Sequence, residues 1–303
     1  MRHTFLITAW LLWFLAHSTR MILSPVLPLI EDDLGLSHAQ AGQLFVFLTA
    51  GYCTSLFSVP VWSRVLGYRR TVQAALAVLA LTQILLYRAA GMKEMAALMF
   101  LVGLTTGTIL PSAIPLLTAA YGKERWGRSI GVFDSAAPAG QFIAPVIAIA
   151  VLSVLSWRYV FWVMAAIAAM VIVMFVRTAP ESEPRAERPR GSLAAVIRNR
   201  SLVTLAGLWA LASAAGIGLG FLVPTYLVKE RGMDLTAANQ IFAAGRGMGI
   251  LAAVYAGFLA DRFTCRSLLV WILAVSGLSQ MGIALWPENF GVGFGSSWRG
   301  EST

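Results

Sequence analysis

Charge is scarce in this sequence. Asp, Glu, Lys and Arg make up 12% of its 303 residues, against roughly 25% in an ordinary soluble domain, while 58% are hydrophobic. A soluble fold with a charge-coated surface is thereby excluded. Cysteine is scarcer still. Cys53 falls in an apolar run and Cys265 in a basic loop, so neither a disulfide framework nor a metal cluster is implied. Acidic residues number 14 against 23 basic ones, for a formal charge of +9. The basic side chains nevertheless sit in short clusters between apolar runs, with no stripe of interleaved aromatics, which argues against nucleic acid as a partner. No Walker loop, HExxH or nucleophile elbow occurs, and GIGLGF at 216–221 lies in an apolar stretch with no preceding strand. Conventional enzyme chemistry, and a cofactor for it, have nowhere to sit.

What is present is apolar length. A bilayer core takes about 20 apolar residues per helix, and nine segments meet that rule: 5–29, 41–63, 71–90, 95–120, 129–154, 157–177, 202–228, 236–260 and 267–286. Each must satisfy its own backbone in lipid, so the chain reads as an all-α membrane protein. The N-terminal run MRHTFLITAWLLWFLAH has the basic start and apolar centre of a signal peptide, but it continues through Arg20 without a small-x-small cleavage site. It is expected to stay as the first span.

Lys and Arg concentrate in alternate loops. One set holds Arg64, Arg69 and Arg70, then Lys123, Arg125 and Arg128, then the Arg177 to Arg200 cluster, then Arg262 and Arg266; the other holds Arg88, Lys93, Arg158, Lys229 and Arg231, beside the acidic Glu31-Asp32-Asp33. The positive-inside rule then puts the N-terminus in the cytoplasm and the chain in the cell (inner) membrane. Residues 178–201, rich in Pro, Glu and Arg, read as a cytoplasmic linker whose basic part can also touch anionic headgroups. It divides an N-terminal six-helix bundle, 1–177, from a partial C-terminal bundle of three helices, 202–286, with a polar tail at 287–303.

PVWSRVLGYRR at 60–70 and GFLADRFTCR at 257–266 each join the second and third helix of their half, a parallel repeat of half-transporter size. These loops resemble the signature of the major facilitator superfamily: a Gly, three residues, Asp-Arg, a spacer, Gly and a basic residue. Gly257, Asp261, Arg262 and Arg266 keep most of it, with Thr264 in place of a Gly. In the first copy Pro60 and Arg64 replace the Gly and Asp, while Gly67, Arg69 and Arg70 remain. GLTTGTILPSA at 103–113 is similar to the family's fourth helix, with Met99 where many members carry Arg. GQFIAP at 140–145 resembles its fifth, with Ala144 for a Gly, SWRYVF at 156–161 the start of its sixth, and VPTYL at 223–227 the end of its seventh. The resemblance spans residues 5–286. It implies a helical bundle with about nine of the usual twelve transmembrane helices, and hence a truncated or frame-shifted product or a deliberate short form. It also implies that Asp261 faces the positive N-terminal end of the fifth span and so holds the outward-open arrangement.

Arg20 and Arg246 are the Lys or Arg residues away from the ends of spans. A guanidinium at a helix centre costs about 2.5–3.5 kcal/mol on insertion scales, so such groups face a hydrated cavity or a partner. Helical rise puts both roughly 22 Å from the cytoplasmic side, one from each half, where they are expected to clamp the oxygens of an anionic substrate. The family's anion transporters carry a substrate-binding Arg at the place of Arg20; Gly216 stands where their second, in helix 7, would be. A structural role for Arg20, and a contact between halves for Arg246, are the alternatives. His17 shares a face with Arg20 and either exchanges protons or bonds substrate, or is a satisfied structural group. Asp134, five residues into the fifth span, is the proton-coupling candidate or a solvated group near the inner face. Tyr52 and Gln141 line the path or serve packing. The resulting expectation is a secondary active transporter, symporter or antiporter, moving a small organic anion by alternating access, with the bilayer and protons as its other partners. Efflux of apolar compounds and a transport-incompetent remnant are its rivals.

Overall fold

The computed structural model describes residues 2–180, 198–211 and 235–285, and every regular element among them is helical. The chain divides into two compact units, one of residues up to 186 together with 246–263, the other of the remainder.

The first unit opens with α1 (Arg2–Met21) and α2 (Leu23–Leu34), one apolar stretch interrupted at Ile22. The cause lies three residues on. Pro25 has no N–H to offer the Met21 carbonyl, and its ring crowds that oxygen. A capping box then starts α3 (His38–Arg88): Ser37 Oγ accepts the Gln40 N–H at 3.3 Å while Gln40 Oε1 accepts the Ser37 N–H at 2.9 Å. Its 51 residues would run roughly 76 Å as a straight helix, far beyond a core of about 30 Å. Gly67, at φ 76° and ψ 157°, breaks it into two spans with a backbone conformation that side chains disfavour. The expected loop at 64–70 thus shrinks to one residue, with Arg64, Arg69 and Arg70 kept in helix and an Arg69 guanidinium N–H donated to the Val176 carbonyl at 2.7 Å.

After α4 (Met92–Ala120), a single 3-10 turn at Lys123–Arg125 leads into α5 (Trp126–Asp134), α6 (Ala136–Leu152) and α7 (Arg158–Thr178). The break between α5 and α6 repeats the device of the first span, since Pro138 withholds an N–H from the Asp134 carbonyl. Six spans result, where the first six apolar runs put them. α1 and α4 are the most enclosed, and Leu12, Leu15, Phe133, Phe161 and Phe175 are fully buried. α3 and α4 approach backbone to backbone: a side chain on Gly103 would meet the Leu48 carbonyl and the Tyr52 nitrogen. At one end of this bundle Arg158 donates to Asp33 Oδ2 at 2.7 Å and to the Ala89 carbonyl at 3.4 Å, tying α7 to the ends of α2 and α3.

The second unit contains α8 (Arg200–Leu211), the opening part of α9 (Leu235–Arg262) and α10 (Cys265–Leu285). Trp209, Leu211, Val270, Trp271 and Leu278 are exposed there, as apolar side chains on lipid-facing helices are. Most of the expected linker 178–201 lies outside the described residues, as do 212–228 of the seventh expected span, with Gly216 and VPTYL, the 287–303 tail and the side chain of Arg246.

Candidate functional site

Arg20 lies in the last turn of α1, two residues before the interruption at Ile22. Its guanidinium carbon stands 4.8 Å from the centroid of the Tyr52 ring, a cation–π arrangement. Its Nε is buried with no hydrogen-bond partner, and no carboxylate among the described residues lies within ion-pair distance of it. Tyr52 is held in turn by the close approach of α3 and α4, where a side chain on Gly107 would meet Ser55 Oγ and the Tyr52 ring. Ser55 Oγ donates to the Tyr52 carbonyl at 2.7 Å.

One turn back along α1, His17 is 9% exposed. Its Nδ1 lies 3.2 Å from the Trp13 carbonyl, so Nδ1 carries the proton in the bonded tautomer and Nε2 is the free nitrogen. The imidazole meets the Trp13 indole edge-on, with centroids 4.3 Å apart. Trp13 Nε1 donates to Asp134 Oδ1 at 3.2 Å, and Trp10 Nε1 to Ser135 Oγ at 3.0 Å. Two indoles of α1 are therefore fastened to the joint between α5 and α6. Asp134 is itself exposed, eight residues inside a helix that starts at Trp126 rather than at 129.

The structure thus brings Arg20 and Tyr52 into contact and links His17 to Asp134 through Trp13. Gln141 is partly buried on α6, beside Gly140, whose carbonyl accepts from Ser18 Oγ at 3.3 Å. Arg246 begins the part of α9 that belongs to the first unit, one turn before Gly249, which faces Pro138. Trp10, Trp13 and Ser135 were not anticipated from the sequence. The available signal was the spacing of 10, 13, 17 and 20 along one helical face, together with the rule that a buried indole N–H finds an acceptor.

The signature residues form a separate group. Asp261 Oδ2 accepts the backbone N–H of Arg128 at 2.9 Å, in the first turn of α5, and Arg128 Nε stands 3.9 Å from the same oxygen. Carboxylate, amide and helix N-terminus are matched in charge. Gly257 lies against Gly127 and Gly131, where a built Cβ would come within 2.8 Å of the Gly131 Cα. Arg70, Arg262 and Arg266 are exposed. A groove of about 700 Å³ between α3 and α4, lined by Gln43, Phe47, Lys93, Phe100 and Leu101 among others, includes none of the Arg20 group.

The family model of the Major Facilitator Superfamily matches residues 9–298. The chain belongs to the major facilitator superfamily. It is similar to the probable sulfoacetate transporter SauU of Cupriavidus necator, with 23% identity over 88% of this chain and 66% of that protein. It is also similar to the hexuronate transporter of Bacillus subtilis, with 26% identity over 80% of this chain and 60% of that protein. The chain therefore spans two thirds or less of the length of these curated relatives. In fold it matches the crystal structure of the Escherichia coli fucose:proton symporter FucP, with a TM-score of 0.66, 17% identity, and coverage of 87% of this chain and 72% of that one. Matched family and matched structures are transporters, not enzymes, and the apolar helices agree with a multi-pass membrane protein.

Proposed function

We propose that this superfamily member is a secondary transporter of a small organic anion, working by alternating access between bundles at 1–177 and 202–286 joined by the 178–201 linker. The observation that carries the reading is the Arg20 guanidinium, seated against Tyr52 inside an apolar bundle with a buried Nε that nothing satisfies. A buried charge without a counter-charge is costly, and a substrate carboxylate or sulfonate would supply both the charge and the acceptor. The relatives' names, for sulfoacetate and for hexuronates, are of the same chemical kind. Tyr52 would wall the site and His17 would offer Nε2. Arg246 on α9 and Gln141 on α6 would be further substrate contacts, and Asp134 would carry the coupling proton. Asp261, Arg128 and the Gly257 contact would hold one conformation of the cycle, with Gly67, Arg69 and Arg70 shaping the turn between the second and third spans. The distribution of Lys and Arg supports a cytoplasmic N-terminus in the cell membrane.

Uptake of radiolabelled sulfoacetate and galacturonate into proteoliposomes tests this. Charge-assisted hydrogen bonds are worth about 1.5–3 kcal/mol, so Arg20→Ala is expected to weaken anion binding by about 10- to 150-fold while the protein still inserts. Arg20→Lys keeps the charge without the planar fork and is expected to fall between the two. Uptake by Arg20→Ala equal to wild type would remove the anion site.

A further inference from the structure

Trp13 holds two of the polar groups in the first unit at once. Its indole N–H is donated to Asp134 Oδ1 at 3.2 Å, and its backbone carbonyl is the partner of His17 Nδ1, also at 3.2 Å. The ring has little freedom to move independently of either contact. It is 4% exposed, stacked on Phe133 with centroids 5.5 Å apart, and met edge-on by the imidazole. Asp134, by contrast, is exposed in the middle of an apolar stretch, at the joint where Pro138 has removed a helical hydrogen bond. A carboxylate in that setting is a functional candidate by default.

We infer that Trp13 is a positioning residue that transmits the proton occupancy of Asp134 to the anion site at Arg20. The inference rests on the reading of Arg20 as that site. With Asp134 ionised, the indole bond is charge-assisted and fastens α1 to the α5–α6 joint. With Asp134 protonated, the same bond falls to the strength of a neutral pair, roughly half. α1 is then released at Trp13, and His17, bonded to the backbone of that residue, shifts beneath Arg20. Other charged groups stand on the elements packed against α5: Arg2, His3, His17 and Arg20 on α1, Lys93 and Glu94 at the start of α4, Lys123, Glu124 and Arg125 in the 3-10 turn, and Arg246, Asp261 and Arg262 on α9. Among the described side chains there is no ion pair to Asp134, and Asp261 is engaged with Arg128. The indole N–H is the hydrogen-bond donor to the carboxylate, so the transmission runs through it. Trp10, bonded to Ser135 and not to a carboxylate, provides an internal control.

The test compares two modes of transport in proteoliposomes of the full chain, with galacturonate as probe. Counterflow exchange at equal pH on both sides needs the anion site but no net proton movement. Accumulation driven by an imposed pH gradient needs both. Trp13→Phe, and the benzothienyl-alanine isostere that replaces only the N–H at this position, are expected to keep counterflow within about twofold of wild type. Both should lose gradient-driven accumulation at least about tenfold, with Trp10→Phe keeping both modes. A purely structural role would lower the two modes together. Accumulation within twofold of wild type in the benzothienyl-alanine variant overturns the inference, as does parallel loss of both modes in that variant. Absence of counterflow in the wild type overturns the anion reading itself, a result distinct from either.

Discussion

At the scale of single residues, Arg20 and Asp134 each adjoin a turn that a proline has loosened, Pro25 four residues past Met21 and Pro138 four past Asp134. Charged side chains in apolar helices need local polarity, and a carbonyl released from the helical ladder supplies it on the spot. The sequence showed which residues were exceptional, because a guanidinium or carboxylate amid Leu and Ala stands out by type alone. It did not show their company. Trp13 and Asp134 are 121 positions apart, and no periodicity within either helix predicts that contact. Asp261 illustrates the opposite case, where a motif and an exposed helix N-terminus already named both partners. Asp261→Asn keeps an acceptor for the Arg128 N–H but discards the charge. It is expected to lower the melting temperature of the detergent-solubilised protein by the equivalent of about 1 kcal/mol, and an unchanged melting temperature would show that the charge is idle there.

At the scale of elements, the apolar runs gave six spans in the right places, and the errors lie at the joints. The fifth helix was expected from 129 but begins at Trp126, because hydropathy is silent about Trp-Gly-Arg while hydrogen bonding is not. The Trp126 indole donates to the carbonyls of Thr118 and Tyr121, at 3.2 and 3.0 Å, and closes the end of α4 against the start of α5. That correction moves Asp134 deeper into its span than counting suggested. The Gly67 turn was visible as a loop but not as a single residue. Gly67→Ala is expected to cost about 1–2 kcal/mol, the penalty of a side chain at positive φ, read as a lower melting temperature. Pro138→Ala should have the reverse signature. By restoring a helical hydrogen bond it is expected to raise the melting temperature and to reduce uptake, since the flexible joint between α5 and α6 is lost; a variant that melts higher and transports normally would show the break to be incidental.

At the scale of the whole molecule, the reading requires water to reach position 20. A cysteine introduced there by Arg20→Cys is expected to react with a membrane-impermeant thiol reagent in a background where Cys53 and Cys265 are replaced by serine, and inert behaviour from both sides would mean a sealed site. Where α5 meets α9, Gly127 and Gly131 face Gly257 with no side chains between them. Such a seam has no knobs to lift out of holes, so sliding along it sacrifices little dispersion energy and resets no rotamers. Friction at that line then resides in the Asp261–Arg128 latch, and whatever weakens that latch governs how often the two backbones slip past each other.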